Sequence, residues 1–339
     1  MNPNELQGLL RDSLTELAWS QWTAIGVAGS GVRASALIDP EALLVASTSI
    51  ARWDARLFDE ILDWVSTNGT LLDAARLRRM AEQATPAQRR VVLAILRSAD
   101  RGREITPLQR VEDALVAKEE PATYGTEPLF HAIGAGPAHW TSLDDTFADL
   151  GFQRSIARLK SMSTPPDGLS PACLRFALRG LVGTGARAEV LAYLLTHEWA
   201  HGRLIAEYAA YNQSVVAEYL ASLFDAGQAE KRVRGRRLEY RIVGLLQDAL
   251  PNVPESVAWH RVWPALAAIL EALSADISEQ AQWVRLADAL DAQSEELSSE
   301  GFELDVPRMD GWATHGTAGI EAAVHKVSER CRVLAGHRQ

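Results

Sequence analysis

Cysteine is nearly absent. Cys173 and Cys331 are the only two in 339 residues and lie far apart, which excludes a disulfide framework and a cysteine-built zinc site. Long apolar runs are missing as well: no uninterrupted stretch approaches the roughly 18–20 residues that span a bilayer, and mean hydropathy is −0.08. The opening MNPNELQGLLRDSLTEL carries acids early and has no apolar h-region, so no signal peptide is expected. A reduced, cytoplasmic protein with no membrane partner is the expectation. Positive charge is in deficit, 34 Lys and Arg against 44 Asp and Glu, for a net charge of −10. Such a chain does not coat nucleic acid indiscriminately, although a local basic surface remains open to it. Phenylalanine, with 7 residues, is outnumbered by 10 tryptophans, whose apolar body and single N–H suit helix seams and interfaces.

What is present is helical pattern. Leu6, Leu9, Leu10, Leu14 and Leu17 recur at helical spacing over residues 5–18. Asp39-Pro40 opens a second helix, and Asp54 caps a third that stops at Asn68-Gly69. Further helices are predicted over 72–83 and 85–98, and amphipathic ones follow Pro254, the last over 319–334. Residues 118–138 and 161–171 concentrate Pro and Gly and read as connectors. The expectation is a mainly α, multi-domain chain: a helical domain over 1–117, a connector with helices over 118–182, a distinct block over 183–246 and a helical, dimerising domain over 255–339.

The block at 183–246 carries the functional information. An Ala-rich helix with Val190, Leu191, Leu194 and Leu195 on one face precedes a second helix containing the small residue Ala206. Ala209, Ala210 and Tyr211 make a tight turn, and Asn212 offers an N-cap for a third helix. That helix turns Val216, Leu220 and Leu223 inward and stops at Ala226-Gly227. AEKRVRG and RRLEYRIV then read as a hairpin about a glycine. In these positions the block resembles the winged helix-turn-helix regulators of the ArsR/MarR type, which implies that the helix over 212–226 enters a DNA major groove. Ala210 departs from the glycine often found there, an alanine under strain if left-handed.

Outward positions then become candidate contacts to double-stranded DNA: Asn212, Gln213, Ser214, Val215, Glu218 and Tyr219 on the third helix. Gln213 matches a base edge, Ser214 a base or phosphate, and Tyr219 a phosphate oxygen. In the hairpin Lys231, Arg232, Arg234, Arg236, Arg237 and Arg241 face two acids, Glu230 and Glu239, a local excess suited to phosphate or minor-groove contact. The competing interpretation is that the block mediates protein contacts and its arginines solvate a hairpin.

One motif points elsewhere. His197-Glu198-Trp199-Ala200-His201 is a literal HExxH, which on one continuous helix binds zinc through His197 and His201 with Glu198 as general base. The winged-helix register places it instead at the turn between the first two helices, where the imidazoles separate, and Gly202 follows at once. The expectation is therefore no metal, no cofactor and no catalytic residue, with a zinc metallopeptidase or an interaction scaffold as alternatives. Gly26, Gly29 and Gly31 lack the lysine of a phosphate-binding loop and read as a turn. Asp144-Asp145 and Glu295-Glu296 read as solvated faces, and His131, His139, His260 and His315 lack ligand spacing. Residues 54–80 read as two bundle helices or as a second helix-turn-helix. Operators are usually read by two-fold dimers, so a homodimer is expected, with Trp259, Trp263 and Trp283 as either its surface or an internal core. The helical flanks have room for a small-molecule or protein effector.

Overall fold

A computed structural model describes residues 1–29, 31–99, 106–118, 125–131, 142–245, 253–274, 277–304 and 316–337. His139, His315 and most of the 118–138 connector lie outside the described residues. The chain is mainly helical. In order it forms α1 (Pro3–Ala24), α2 (Pro40–Ile50), α3 (Ala55–Asn68), α4 (Ala74–Gln83), α5 (Pro86–Ala99) and α6 (Thr106–Val116). Then come β1 (Glu127–Pro128), α7 (Asp145–Ala148), β2 (Phe152–Gln153), α8 (Leu174–Val182), α9 (Ala186–Thr196), β3 (Ala200–His201), α10 (Gly202–Ala209) and α11 (Gln213–Asp225). β4 (Ala229–Arg234), β5 (Arg237–Ile242), α12 (Trp259–Leu273), α13 (Glu279–Ser299) and α14 (Gly316–Leu334) complete it. None of the described helices is long and apolar enough to cross a membrane.

Local chemistry sets the helix starts. Asn2 and Glu5 form a reciprocal capping box on α1, and Asp39 and Asp54 accept backbone N–H groups at the heads of α2 and α3. Asp144 does the same for α7 and is buried, so it is a cap where the sequence suggests a solvated face. Gly26 adopts φ +108°, and a side chain there would collide with the Thr164 carbonyl. The glycine run is thus a turn that lets the 161–164 segment close on α1, while the Asp63 carboxylate takes the N–H groups of Ser161, Met162 and Ser163.

Residues 1–117 and 255–337, separate domains on the sequence reading, share one hydrophobic core. α1 packs on α12 and α14, and α2 lies among α1, α4, α5 and α12. Trp259 and Trp263 are each 1% exposed inside that core, with Trp283 packed against it, so the first two are internal and offer no dimer surface. α3 and α4 belong to the same helical body. A second, smaller core gathers Leu37, Leu174 and Leu178 of α8 with the inward residues of α9, α10, α11 and the strands; the unit therefore begins with α8, ahead of residue 183. From α8 onward its order is helix, helix, strand, helix, helix, strand, strand, with the strands in a sheet ordered β3-β5-β4 and all pairs antiparallel.

The two cores meet at a buried ionic cluster. Arg76 of α4 contacts Asp39 at 2.5 Å, Glu41 of α2 at 2.6 Å and Glu189 of α9 at 3.3 Å. Arg179 of α8 forks onto Glu41 (2.8 Å) and Glu189 (2.7 Å), and Arg175 pairs with Glu189. All six side chains are at most 5% exposed. Burial opposes ionisation of Asp39, yet Arg76 and Arg175 outweigh it and hold its carboxyl far below the usual range. Its stabilising contribution is complete above the unfolded-chain pKa of 3.8 and is lost as acidification approaches the folded value. Replacing Arg76 with Leu strands Asp39 and Glu41 without their shared cation. Urea denaturation of Arg76→Leu is expected to show a loss of about 3–5 kcal/mol; a midpoint equal to the parent's would show that the cluster is not the joint described.

Candidate nucleic-acid interface

The helices of the smaller unit place most of the expected contacts outward. Val216, Leu220 and Leu223 of α11 are buried, while Gln213, Ser214, Val215 and Glu218 are exposed. Tyr219 is half-buried beneath the Arg187 guanidinium, 5.7 Å from its ring, and burial raises its pKa. α11 itself carries no cation, since Glu218 and Asp225 are its only charged residues. It ends as expected, with Ala226 as cap and Gly227 at φ +68°.

Asn212 precedes α11 but its side chain makes no cap. Its Oδ1 lies instead 3.4 Å from Arg79 Nη2. Arg79 Nη1 also donates to the Ala210 carbonyl, and Arg76 Nε donates to the Ala209 carbonyl at 3.0 Å. Tyr211 Oη donates to Asp73 at 2.7 Å; burial, followed by this bond, raises the phenol's pKa. The α10–α11 turn is thus held by α4 from more than 130 residues away in sequence. Nothing in the spacing of the turn's own residues reveals this clamp.

The hairpin joins β4 to β5 through Gly235-Arg236, with Arg234 opposite Arg237 and Gly235 at φ +63°. Glycine at the first central position suits a turn that matches strand twist. Its cations divide into two sets. Arg232 bridges Glu239 at 2.7 Å and Arg241 bridges Glu230 at 2.8 Å, and both guanidinium groups rest on the Trp199 ring, 4.0 and 4.9 Å from its centroid. Lys231 lies 3.8 Å over Phe224. Arg234, Arg236 and Arg237 are exposed and make no ion pair with a described residue. The net positive charge of the segment therefore sits on Lys231 and the three arginines at the tip.

The HExxH residues do not share a helix. His197 ends α9 in extended conformation, stacks on Tyr193 at 3.9 Å, and has Nδ1 2.9 Å from the Tyr193 carbonyl; burial lowers its pKa. Ala200 and His201 pair with β5, and His201 Nδ1 accepts the Leu204 N–H at 3.2 Å to cap α10. Glu198 is exposed. The i, i+4 geometry that zinc requires of this motif is not formed, and among the described residues no group of three His, Cys, Asp or Glu side chains could hold a metal. His131 lies tilted against Trp53, 4.4 Å between centroids, and burial pushes its pKa down to about 4. In the 54–80 segment Arg76 is fully buried and Arg79 bonds the α10–α11 turn, so both cations are turned into the protein. No family model matches the sequence, and no curated protein or solved structure is significantly similar to it.

Ala210 has φ +53° and ψ +43°, the left-handed conformation. An L-residue there costs roughly 1–2 kcal/mol, of which glycine's extra unfolded-state freedom returns about half. Ala210→Gly is therefore expected to stabilise the fold by about 0.5–1 kcal/mol in thermal or urea denaturation. A destabilised variant would contradict the left-handed turn.

Proposed function

We propose that residues 186–242 form a winged helix-turn-helix that binds double-stranded DNA in a sequence-specific manner, and that the protein is a transcriptional regulator. The observation that carries this reading is the order α9-β3-α10-α11-β4-β5 in a β3-β5-β4 sheet, ending in a hairpin tip with three unpaired arginines. In this reading α11 lies in the major groove with Gln213, Ser214, Val215 and Glu218 toward base edges. Val215, 43% exposed, offers an apolar contact for a thymine methyl group. Arg234, Arg236, Arg237 and Lys231 grip phosphates or enter the minor groove, and Tyr219 reaches a phosphate oxygen. Arg232 is a lesser contributor because Glu239 offsets its charge. A second copy of the chain, bound to a neighbouring half-site, completes a two-fold operator.

The division of labour between tip and helix is directly measurable. Phosphate contacts release counterions, so the double variant Arg234→Ala/Arg236→Ala is expected to weaken binding to every DNA sequence. It should also reduce the slope of log K against log salt by about 1.8, at ~0.9 per contact. An unchanged slope would remove the hairpin from the interface.

Gln213 is the matching test of readout. Gln213→Ala leaves Val216, Leu220 and Leu223 in place, so the fold survives, and the preferred site is expected to lose about 1–3 kcal/mol with little change on random DNA. Val216→Asp buries an unpaired charge and unfolds the unit instead. A silent Gln213→Ala together with a folded, DNA-binding Val216→Asp would show that the helix register is wrong.

A further inference from the structure

A cavity of about 1220 Å³ opens between the helical body and the α10–α11 turn, somewhat larger than the roughly 300–1,000 Å³ usual for small-molecule sites. Alanines make the space. Ala42 and Ala46 of α2, Ala267 and Ala268 of α12, and Ala206 of α10 face it where larger side chains would close it. One turn of α12 gives this wall an unpaired polar character. Trp263 is 1% exposed and its Nε1 has no hydrogen-bond partner, and neither has His260 Nδ1. Pro264, also on the wall, has no N–H to offer the His260 carbonyl. Buried polar atoms normally find partners, so the two side-chain groups, Trp263 Nε1 and His260 Nδ1, mark a wall able to take up hydrogen bonds.

Charge distinguishes one end. Glu207 is matched by Arg203 and Arg261, and Arg52 by Glu127. Glu271 and Glu296 are exposed at the rim. Arg79 is half-buried, lies 5.2 Å over the Tyr211 ring, and among the described residues bonds only to the neutral oxygens of Ala210 and Asn212 and makes no ion pair. A guanidinium in that state is a carboxylate receptor, offering parallel N–H groups in a planar fork. It is also the group that holds the turn ahead of α11.

We propose that this cavity binds an amphipathic organic acid, its apolar body among the alanines and Trp263 and its acid group on Arg79, and that occupancy loosens the α10–α11 turn. The 3.4 Å contact from Nη2 to Asn212 is the longer of Arg79's two bonds to the turn and is the one the acid replaces. Release of Asn212 frees the start of α11. The consequence for DNA rests on the function proposed above; the cavity and its hold on the turn do not.

The test uses the full chain and two probes, the amphipathic anion anilinonaphthalene sulfonate and its uncharged counterpart phenylnaphthylamine. Both are expected to bind at a single site. Arg79→Gln should weaken the anion about tenfold, the value of one charge-assisted contact, and leave the neutral probe unchanged. Ala267→Phe, on the α12 wall, should weaken both, and it carries the test if Arg79→Gln fails to fold. Probe binding untouched by the folded variants would overturn the site. Hydrogen exchange reads the coupling without DNA: the anion should speed exchange at Tyr211 to Ser214, and unaltered exchange there would overturn the coupling. On a DNA site the anion should weaken binding in the parent and not in Arg79→Gln; tighter or unchanged binding would count against the coupling. A protein that binds the anion and loosens its turn yet ignores DNA would retain the cavity and lose the DNA reading.

Discussion

Three arginines and three carboxylates buried together impose the constraint on which the rest of the molecule depends. Arg76, Arg175 and Arg179 balance Asp39, Glu41 and Glu189 with almost no access to water. Such a cluster is weak evidence for net stability, because desolvation consumes much of the Coulomb gain. Its strength is directional. Each fork accepts only a narrow range of geometry, and the residues come from α2, α4, α8 and α9, so the cluster fixes how the smaller unit sits on the helical body. Sliding the two cores against each other would strand buried charges, whereas sliding two apolar faces costs far less.

The same joint reaches the candidate interface. Arg76 leaves the cluster to hold the Ala209 carbonyl, and Arg79, one turn further along α4, holds Ala210. The turn that aims α11 is therefore set by the helical body and only partly by its own residues, as the strained Ala210 illustrates. Charge is equally localised. An acidic chain with an acidic α11 concentrates unpaired positive charge at a hairpin tip, while Glu230 and Glu239 neutralise the strand cations nearer the base. In the proposed DNA complex, non-specific attraction is confined to a few side chains and discrimination is left to α11.

Much of this was legible in the sequence where the cause is local. The caps at Asp39 and Asp54, the inward set Val216, Leu220 and Leu223, the Ala226-Gly227 stop and the glycine-centred hairpin all follow from neighbours within a few residues. The separation of His197 from His201 followed from the same register. Long-range contacts were not legible. The shared core of the two ends of the chain, the internal placement of Trp259 and Trp263, and the α4 clamp join residues more than 100 positions apart. One signal was available: Arg76 lies on the buried side of α4 with Leu77 and Ala81, and a cation on an apolar face implies a buried partner. The neutralisation of Arg232 by Glu239 was legible only once the strand register placed them opposite each other.

Sequence-specific recognition by the smaller unit is the centre of this account, and selection of bound DNA from a random duplex pool tests it most directly. The account predicts that successive rounds at moderate salt enrich a common motif, arranged as two inverted half-sites about one helical turn (~10 base pairs) apart. A pool that remains random through selection, with no duplex retained even at low salt, would contradict it.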